Sequence, residues 1–240
     1  MRVDIAFTPA ELAGGGVGER TVVVIDVLRA STTILEALVN GAREVLPVES
    51  VEQAVRRREE IGKRNVLLCG ERDTQPIAGF DLGNSPLEFV RERVDGETLV
   101  MTTTNGTRAL LAGASGKRCV VGCFLNAGAV AKSLADAGDD TLLLCAGREG
   151  RFALEDALCA GLIARRVGRL RPDDAVEGND ASLAAMRLAA RIRRELPATM
   201  SRTAAGRRLA ELGRQDDVDF CGTLDRYTEI PRVRERRISL

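Results

Sequence analysis

The 240-residue chain has no histidine and no tryptophan, and only 3% of it is aromatic. Without histidine, serine triads, Cys–His dyads, phosphohistidine chemistry and His-ligated zinc are excluded in their usual forms. Proton transfer must rest on carboxylates, lysine (Lys63, Lys117 and Lys132), the single tyrosine, cysteine or metal-bound water. Scarce aromatics speak against carbohydrates and single-stranded nucleic acids, whose binders use stacking platforms. Neither sign of charge is in excess, with Lys+Arg and Asp+Glu at 35 each, so neither nucleic acid nor an acidic membrane surface is expected as a partner. No apolar run reaches the roughly 18 residues of a membrane span and no signal peptide is evident, so a cytoplasmic location is expected. The cysteines (Cys69, Cys119, Cys123, Cys145, Cys159, Cys221) form no CxxC pair and mostly sit in runs such as VLLC and LLLC. They are expected to be reduced, buried and hydrophobic in behaviour.

What is present is alternation. Short Val/Leu-rich runs predict strands over Val3–Phe7, Thr21–Asp26, Glu44–Val48, Val66–Cys69, Thr98–Thr102, Arg118–Phe124 and Thr141–Ala146. Several are apolar at every position, as strands covered on both faces are. Ser50-Val-Glu-Gln53 and Ser85-Pro-Leu-Glu88 read as capping boxes, and Gly41 and Gly138 as helix stops. The fold expected is α/β: three layers, α/β/α, around a largely parallel or mixed sheet. Beyond about Arg171 the pattern turns helical (Ala181–Leu196, Thr203–Leu212) and ends in a polar segment. A faint repeat runs at an offset of about 75 residues: Thr32 falls on Thr107, Leu35 on Leu110, Gly41 on Gly116, Arg43 on Arg118 and Val45 on Val120. It suggests two related halves about a pseudo-dyad. The chain then reads as a single unit, 1–240, with lobes 1–95 and 96–170 and a mainly helical region 171–240.

In parallel α/β sheets, ligands collect beyond the carboxyl ends of strands. Four such ends carry functional groups: Asp26 to Thr33 (DVLRASTT), Gly70 to Asp73 (GERD, leading to GFDLGNSP), Thr102 to Thr107 (TTNGT after Thr102) and Gly147 to Asp156 (GREGRFALED). Each has a bland explanation taken alone. Asp26 could cap a turn, Ser31 a helix, Glu71-Arg72 could be a surface pair, and Glu155-Asp156 could favour a helix dipole. Together they describe an anion beside a hard cation. Hydroxyl- and Gly-rich turns aim N–H groups at oxyanions, arginines supply forks, and carboxylates suit Mg²⁺. A helix terminus stabilises an anion by roughly 0.3–2 kcal/mol, whereas enzymes lower barriers by about 8–23 kcal/mol. In a chain without histidine, Mg²⁺ is the natural means of closing that gap. GxxxxGK[ST] and DxDx[TV] are absent, and GGGVGER (Gly14–Arg20) precedes a strand and reads as a loop.

With those residues assembled, the chain resembles the 2-phosphosulfolactate phosphatase family. The likeness runs through IDVLRASTTI, GERDTQPIAGFDLGNSP, TTTNGTRAL, CAGREGRFALEDALCAG and a late S-x₄-G-x₂-L-x₃-G segment, Ser201–Gly213. It implies an α/β fold and Mg²⁺-dependent hydrolysis of a small anionic phosphate ester. The implied substrate is 2-phospho-3-sulfolactate, on the route to coenzyme M. Asp26, Arg29, Glu71, Asn105 and Asp156 occupy its motif positions. The expected roles are Asp26, Glu71 and Asp156 for the metal, and Asp26, Arg29 and Glu155 for catalysis, Glu155 as base. Arg29, Ser31, Thr32, Thr103, Thr104, Asn105, Gly106, Thr107 and Arg148 are expected on the phosphate, with Arg72 or Arg151 on a second anion. Direct attack by water and a phosphorylated Asp26 both remain open, as does a homodimer. A different class, a non-catalytic binder of a phosphorylated or carboxylated metabolite, fits the same turns.

Overall fold

All seven apolar runs form strands, and the helices lie between them. In chain order, the computed structural model has β1 (Val3–Ala6), β2 (Thr21–Ile25), α1 (Ala30–Val39), β3 (Glu44–Pro47), α2 (Val51–Ile61), β4 (Val66–Arg72) and β5 (Gln75–Pro76). Next come α3 (Arg91–Val94), β6 (Thr98–Thr102), α4 (Gly106–Gly113), β7 (Arg118–Gly122), α5 (Ala127–Ala137) and β8 (Thr141–Cys145). The chain ends with α6 (Leu154–Leu170), α7 (Asp180–Leu188), α8 (Ile192–Arg202), α9 (Ala204–Glu211), α10 (Gln215–Cys221), β9 (Arg232–Arg234) and β10 (Arg237–Ser239). The structure describes residues 1–12 and 16–240, the side chains of 191–194 excepted, so Gly14 and Gly15 of the glycine run lie outside the described residues.

The mixed sheet has the order β1-β8-β2-β7-β9-β10-β3-β6-β4-β5. The repeat equates β2–α1–β3–α2–β4 with β6–α4–β7–α5–β8. Exchanging each strand for its counterpart and reversing the order of the six leaves that order unchanged, with the β9–β10 hairpin at the centre. The topology is therefore pseudo-dyad symmetric, and the halves interleave. Among the described residues β2 pairs only with β7 and β8, and β6 only with β3 and β4. Three antiparallel steps, β7–β9, β9–β10 and β10–β3, turn the two parallel groups against each other.

Strand periodicity sorts side chains onto two faces. Val22 and Val24 of β2, Leu99 and Met101 of β6, and Leu142 and Leu144 of β8 join Ile34 of α1 and Leu110 of α4 in one buried cluster. The two strand groups thus face each other across α1 and α4. On the far side of the first group, Val23, Ile25 and Leu143 pack on α5 and α6. On the far side of the second, Leu68 and Val100 pack on Ala54 of α2. Each group lies between helices, the α/β/α layering the alternation predicts. This folding-over brings the carboxyl ends of β2, β4, β6 and β8 to one place.

All six cysteines are free and buried, as expected. Ser50 caps α2, accepting from the Gln53 amide at 3.2 Å, and Gly138 ends α5 in the left-handed region, φ 68°. Ser85 departs from expectation. It makes no cap for the 3₁₀ turn Pro86–Glu88, because its hydroxyl donates to Asp217 instead. The polar C-terminus, given no strand by its composition, forms the central hairpin: Val233 and Ile238 are buried and the flanking arginines exposed. No helix among the described residues is long and apolar enough to cross a membrane.

Candidate active site

A cleft opens where the four strand ends meet, lined by Asp26, Arg29, Glu71, Asn84, Asn105, Arg148, Glu155 and Asp156 among others. Asp26 follows β2, and its Oδ1 accepts from the Ala30 amide at 3.2 Å, which fixes the first turn of α1. Asp156 stitches two strand ends together, accepting from the Val27 amide (2.8 Å) and the Gly147 amide (3.1 Å). Glu71 joins two turns of the other strand group: it accepts from the amides of Thr104 (2.7 Å) and Thr74 (2.8 Å). Its position depends on Gly70, at φ +142°, where a Cβ would lie 1.9 Å from the Thr102 carbonyl oxygen.

Crowding these acids in a dry site shifts their titration. Burial, reinforced by the charges of Glu71 and Glu155, pushes Asp26 up to about 7. Burial raises Glu155 too. Asp156 is driven well above the carboxylate range by burial first, then by Asp26 and Glu155. The cleft thus keeps protons on acids that would be ionised in water, because its own donors do not offset so many carboxylates at once.

Arg29 answers part of that charge. Its guanidinium, 5% exposed, donates to Asp217 Oδ2 at 2.7 Å and to the Thr74 carbonyl at 3.0 Å. The remaining N–H groups are left for an oxyanion. Arg148 is turned inward because it and Arg151 exchange both backbone hydrogen bonds at 2.9 Å, with Glu149 and Gly150 at positive φ between them. Asn105 Oδ1 accepts from the Glu149 amide at 2.9 Å, tying this loop to the start of α4.

The two helix starts approach so closely that Gly106 has no room for a side chain. A Cβ there would sit 2.5 Å from Ala30 Cβ and 2.6 Å from Asp26 Oδ2. Gly106→Ala should therefore destabilise the fold by about 1–3 kcal/mol and displace Asp26. Urea denaturation together with a turnover assay checks it, and an active variant of wild-type stability would refute the packing.

A family profile described as 2-phosphosulpholactate phosphatase matches residues 6–236, nearly the whole chain. The chain belongs to that family. A protein of Caldanaerobacter subterraneus subsp. tengcongensis named "Probable 2-phosphosulfolactate phosphatase" is 44% identical over 216 residues, 90% of this chain and 88% of the relative. Relatives of the same name from Thermotoga petrophila and Symbiobacterium thermophilum are both 42% identical. They cover 96% and 98% of this chain, and 95% and 99% of their own lengths.

Within this 2-phosphosulpholactate phosphatase family member, some residues expected at the site face elsewhere. Ser31 Oγ accepts from the Asp26 amide at 2.9 Å, and Thr32 Oγ1 donates to the Val27 carbonyl at 2.9 Å. Both hydroxyls fasten the turn and do not line the cleft. Thr103 and Thr107 cap each other's backbone: each hydroxyl accepts from the other residue's amide at 3.0 Å. Thr104 spends its amide and hydroxyl on Glu71. Arg72 is corrected from substrate binder to strut, since it donates to the Glu71 carbonyl and to Thr102 Oγ1 at 2.8 Å. Arg151 is exposed and lines no part of the cleft. The arginine that joins Arg148 at the cleft's outer continuation is Arg208 of α9. Thr74, Ala205, Leu209 and the buttress Asp217 were also unforeseen as site residues, and Asn84, in the stretch that follows the GERD strand end, had no role assigned to it. Asn84 lies within GFDLGNSP, and Leu209 is the leucine of the late motif.

Proposed function

We propose that the protein is a Mg²⁺-dependent phosphatase that hydrolyses the phosphate ester of a small 2-hydroxy acid, 2-phospho-3-sulfolactate being the substrate its relatives' names point to. One observation carries the reading. Four buried carboxylates whose charges repel one another share a cleft with two arginines at the meeting of four strand ends.

The donor set fits a hard divalent cation. Only oxygen is on offer: there is no histidine, and burial raises the thiols of Cys145 and Cys159 well above their usual range, so they stay protonated. Among the described residues no three acids are closed into a ready cage. That suits Mg²⁺, which takes one or two carboxylates and keeps its waters. Asp26 and Asp156 would hold it, Glu71 acting from behind as the clasp of the two turns. When bound it supplies charge neutralisation at the phosphoryl oxygens.

The chain's own residues do the rest. Arg29, fixed by Asp217, and Arg148 take phosphate oxygens, and the free amide N–H groups of Asn105 add a neutral donor. Arg208, beside Arg148, receives the second anion of the substrate. Water attacks phosphorus, and Glu155, its basicity raised by burial, accepts the proton.

Release of phosphate from a panel of 2-phospho-hydroxyacids, with and without Mg²⁺, tests this. Turnover of the sulfonated member, lost in EDTA and restored by Mg²⁺, is expected. Binding of the panel without turnover would establish the non-catalytic alternative. The raised titration of Asp26 adds a further expectation. The metal must displace the protons that burial keeps on Asp26 and Asp156, so Mg²⁺ should bind more tightly as pH rises, by at least about tenfold per pH unit below about 7. Calorimetric titration between pH 5.5 and 8.5, in buffers of different ionisation heat, measures both the slope and the proton released. A flat profile would remove Asp26 from the metal.

A further inference from the structure

Asn84 lies between β5 and the turn at Pro86, and it is 4% exposed. Its main-chain carbonyl is occupied, accepting from Thr33 Oγ1 at 2.9 Å. Its side chain is not: Oδ1 is buried without a hydrogen-bond partner among the described residues, although Asn84 lines the cleft beside Asp26, Arg29 and Asp156. Three of its buried polar neighbours have partners. Asp156 takes two amides, Glu71 two amides and a hydroxyl, and Arg29 gives to Asp217 and Thr74. A buried acceptor left unpaired lowers stability until something fills it.

What fills it must carry a proton. The phosphate, carboxylate or sulfonate oxygens of the proposed substrate are themselves acceptors at neutral pH, and so are the carboxylates that would hold Mg²⁺ once it has displaced their protons. Arg29 gives two N–H groups to Asp217 and Thr74, and its others go to phosphate oxygens in the reading above. Water is the donor that remains.

We infer that Asn84 orients the attacking water, a role that rests on the hydrolytic reading above. One O–H of the water donates to Oδ1. The second proton passes to a carboxylate of the cluster as the water oxygen bonds to phosphorus, and when the ester P–O bond breaks that proton is handed to the departing oxygen, which leaves as the free hydroxyl of the acid. The amide carbonyl fixes the direction of the lone pair without competing for the proton, as a carboxylate at the same place would.

The closing experiment separates this role from the identity of the substrate. Enzyme, Mg²⁺ and ¹⁸O-labelled inorganic phosphate are mixed in ordinary water, and oxygen exchange is followed by the ³¹P isotope shift. Asn84→Ala is compared with the wild type for exchange rate, phosphate affinity, Mg²⁺ half-saturation and melting temperature. Exchange should fall about 30–100-fold, with both affinities within about threefold and the melting temperature equal or higher, since an unpaired acceptor has been removed. A tenfold weaker phosphate affinity with unchanged exchange per bound phosphate would overturn the role, making Asn84 an anion donor. Recovery of exchange at high Mg²⁺ would overturn it in favour of metal ligation, and a clear loss of melting temperature in favour of a structural role. Wild-type exchange with no turnover of the hydroxyacid panel would sink the substrate but leave the water's role standing. A wild type that exchanges no oxygen at any Mg²⁺ concentration overturns both.

Discussion

Asp26→Asn should lower turnover by at least about 10²–10³-fold while stabilising the metal-free fold above neutral pH. The side chain is nearly isosteric, and the new carbonyl can still accept from the Ala30 amide, so the start of α1 is preserved. What changes is charge. Asp26 titrates at about 7 in the fold, first because it is buried and then because Glu71 and Glu155 repel it, against an ordinary value of 3.8. A raised carboxyl contributes stability that is whole below its unfolded value and is lost as pH rises through its folded one. In the wild type that loss runs from about pH 4 to just above 7 and amounts to something on the order of 4 kcal/mol. The coupled acids Glu155 and Asp156 share in it. Asn has no proton to lose. The two proteins should be equally stable near pH 4, and the variant should lead increasingly up to pH 8. Urea denaturation in EDTA at pH 4.5, 6 and 8 measures this. A variant that is inactive and also weaker at pH 8 would mean that Asp26 holds the fold together rather than straining it.

The same conflict explains how much of the site was legible. Polar residues at the ends of apolar runs identify strand termini, and Asp26, Arg29, Glu71, Asn105, Arg148, Glu155 and Asp156 do line the cleft. Composition cannot say which way a side chain turns after the strand ends. Ser31 and Thr107 resemble phosphate-binding hydroxyls in sequence, yet each satisfies a buried amide of its own turn. Arg72 could not be set aside from sequence, because the predicted strand ends at Cys69; only the extension of β4 to Arg72 puts Glu71 and Arg72 on opposite faces. Asp217 carries no local signal, and Asn84 only its place in GFDLGNSP. Each reaches the site through contacts distant in sequence, such as the 188-residue separation of Arg29 and Asp217. The interleaved sheet was equally hidden, since a repeat shows that two segments are alike but not that each lends a strand to the other.

Asp217 carries the second large effect. It is 1% exposed, and it receives the Ser85 hydroxyl on Oδ1 and Arg29 on Oδ2. Asp217→Ala would strand a buried guanidinium with only the Thr74 carbonyl, a change that typically costs about 3–5 kcal/mol, and turnover should fall with it as Arg29 loses its aim. Ser85→Ala, removing one neutral donor, should cost only about 1 kcal/mol and leave Arg29 in place. The double variant Arg29→Met/Asp217→Leu separates stability from function. Two charges brought out of water gain little over an apolar pair of similar size, so most of the stability should return while activity stays absent. Thermal melts and phosphate release on the four proteins decide the matter. A double variant as unstable as Asp217→Ala alone would show that the carboxylate serves α10 packing independently of Arg29. The expected recovery would show that the pair is kept to hold one guanidinium in a fixed direction, at a cost that hydrophobic side chains would spare the fold.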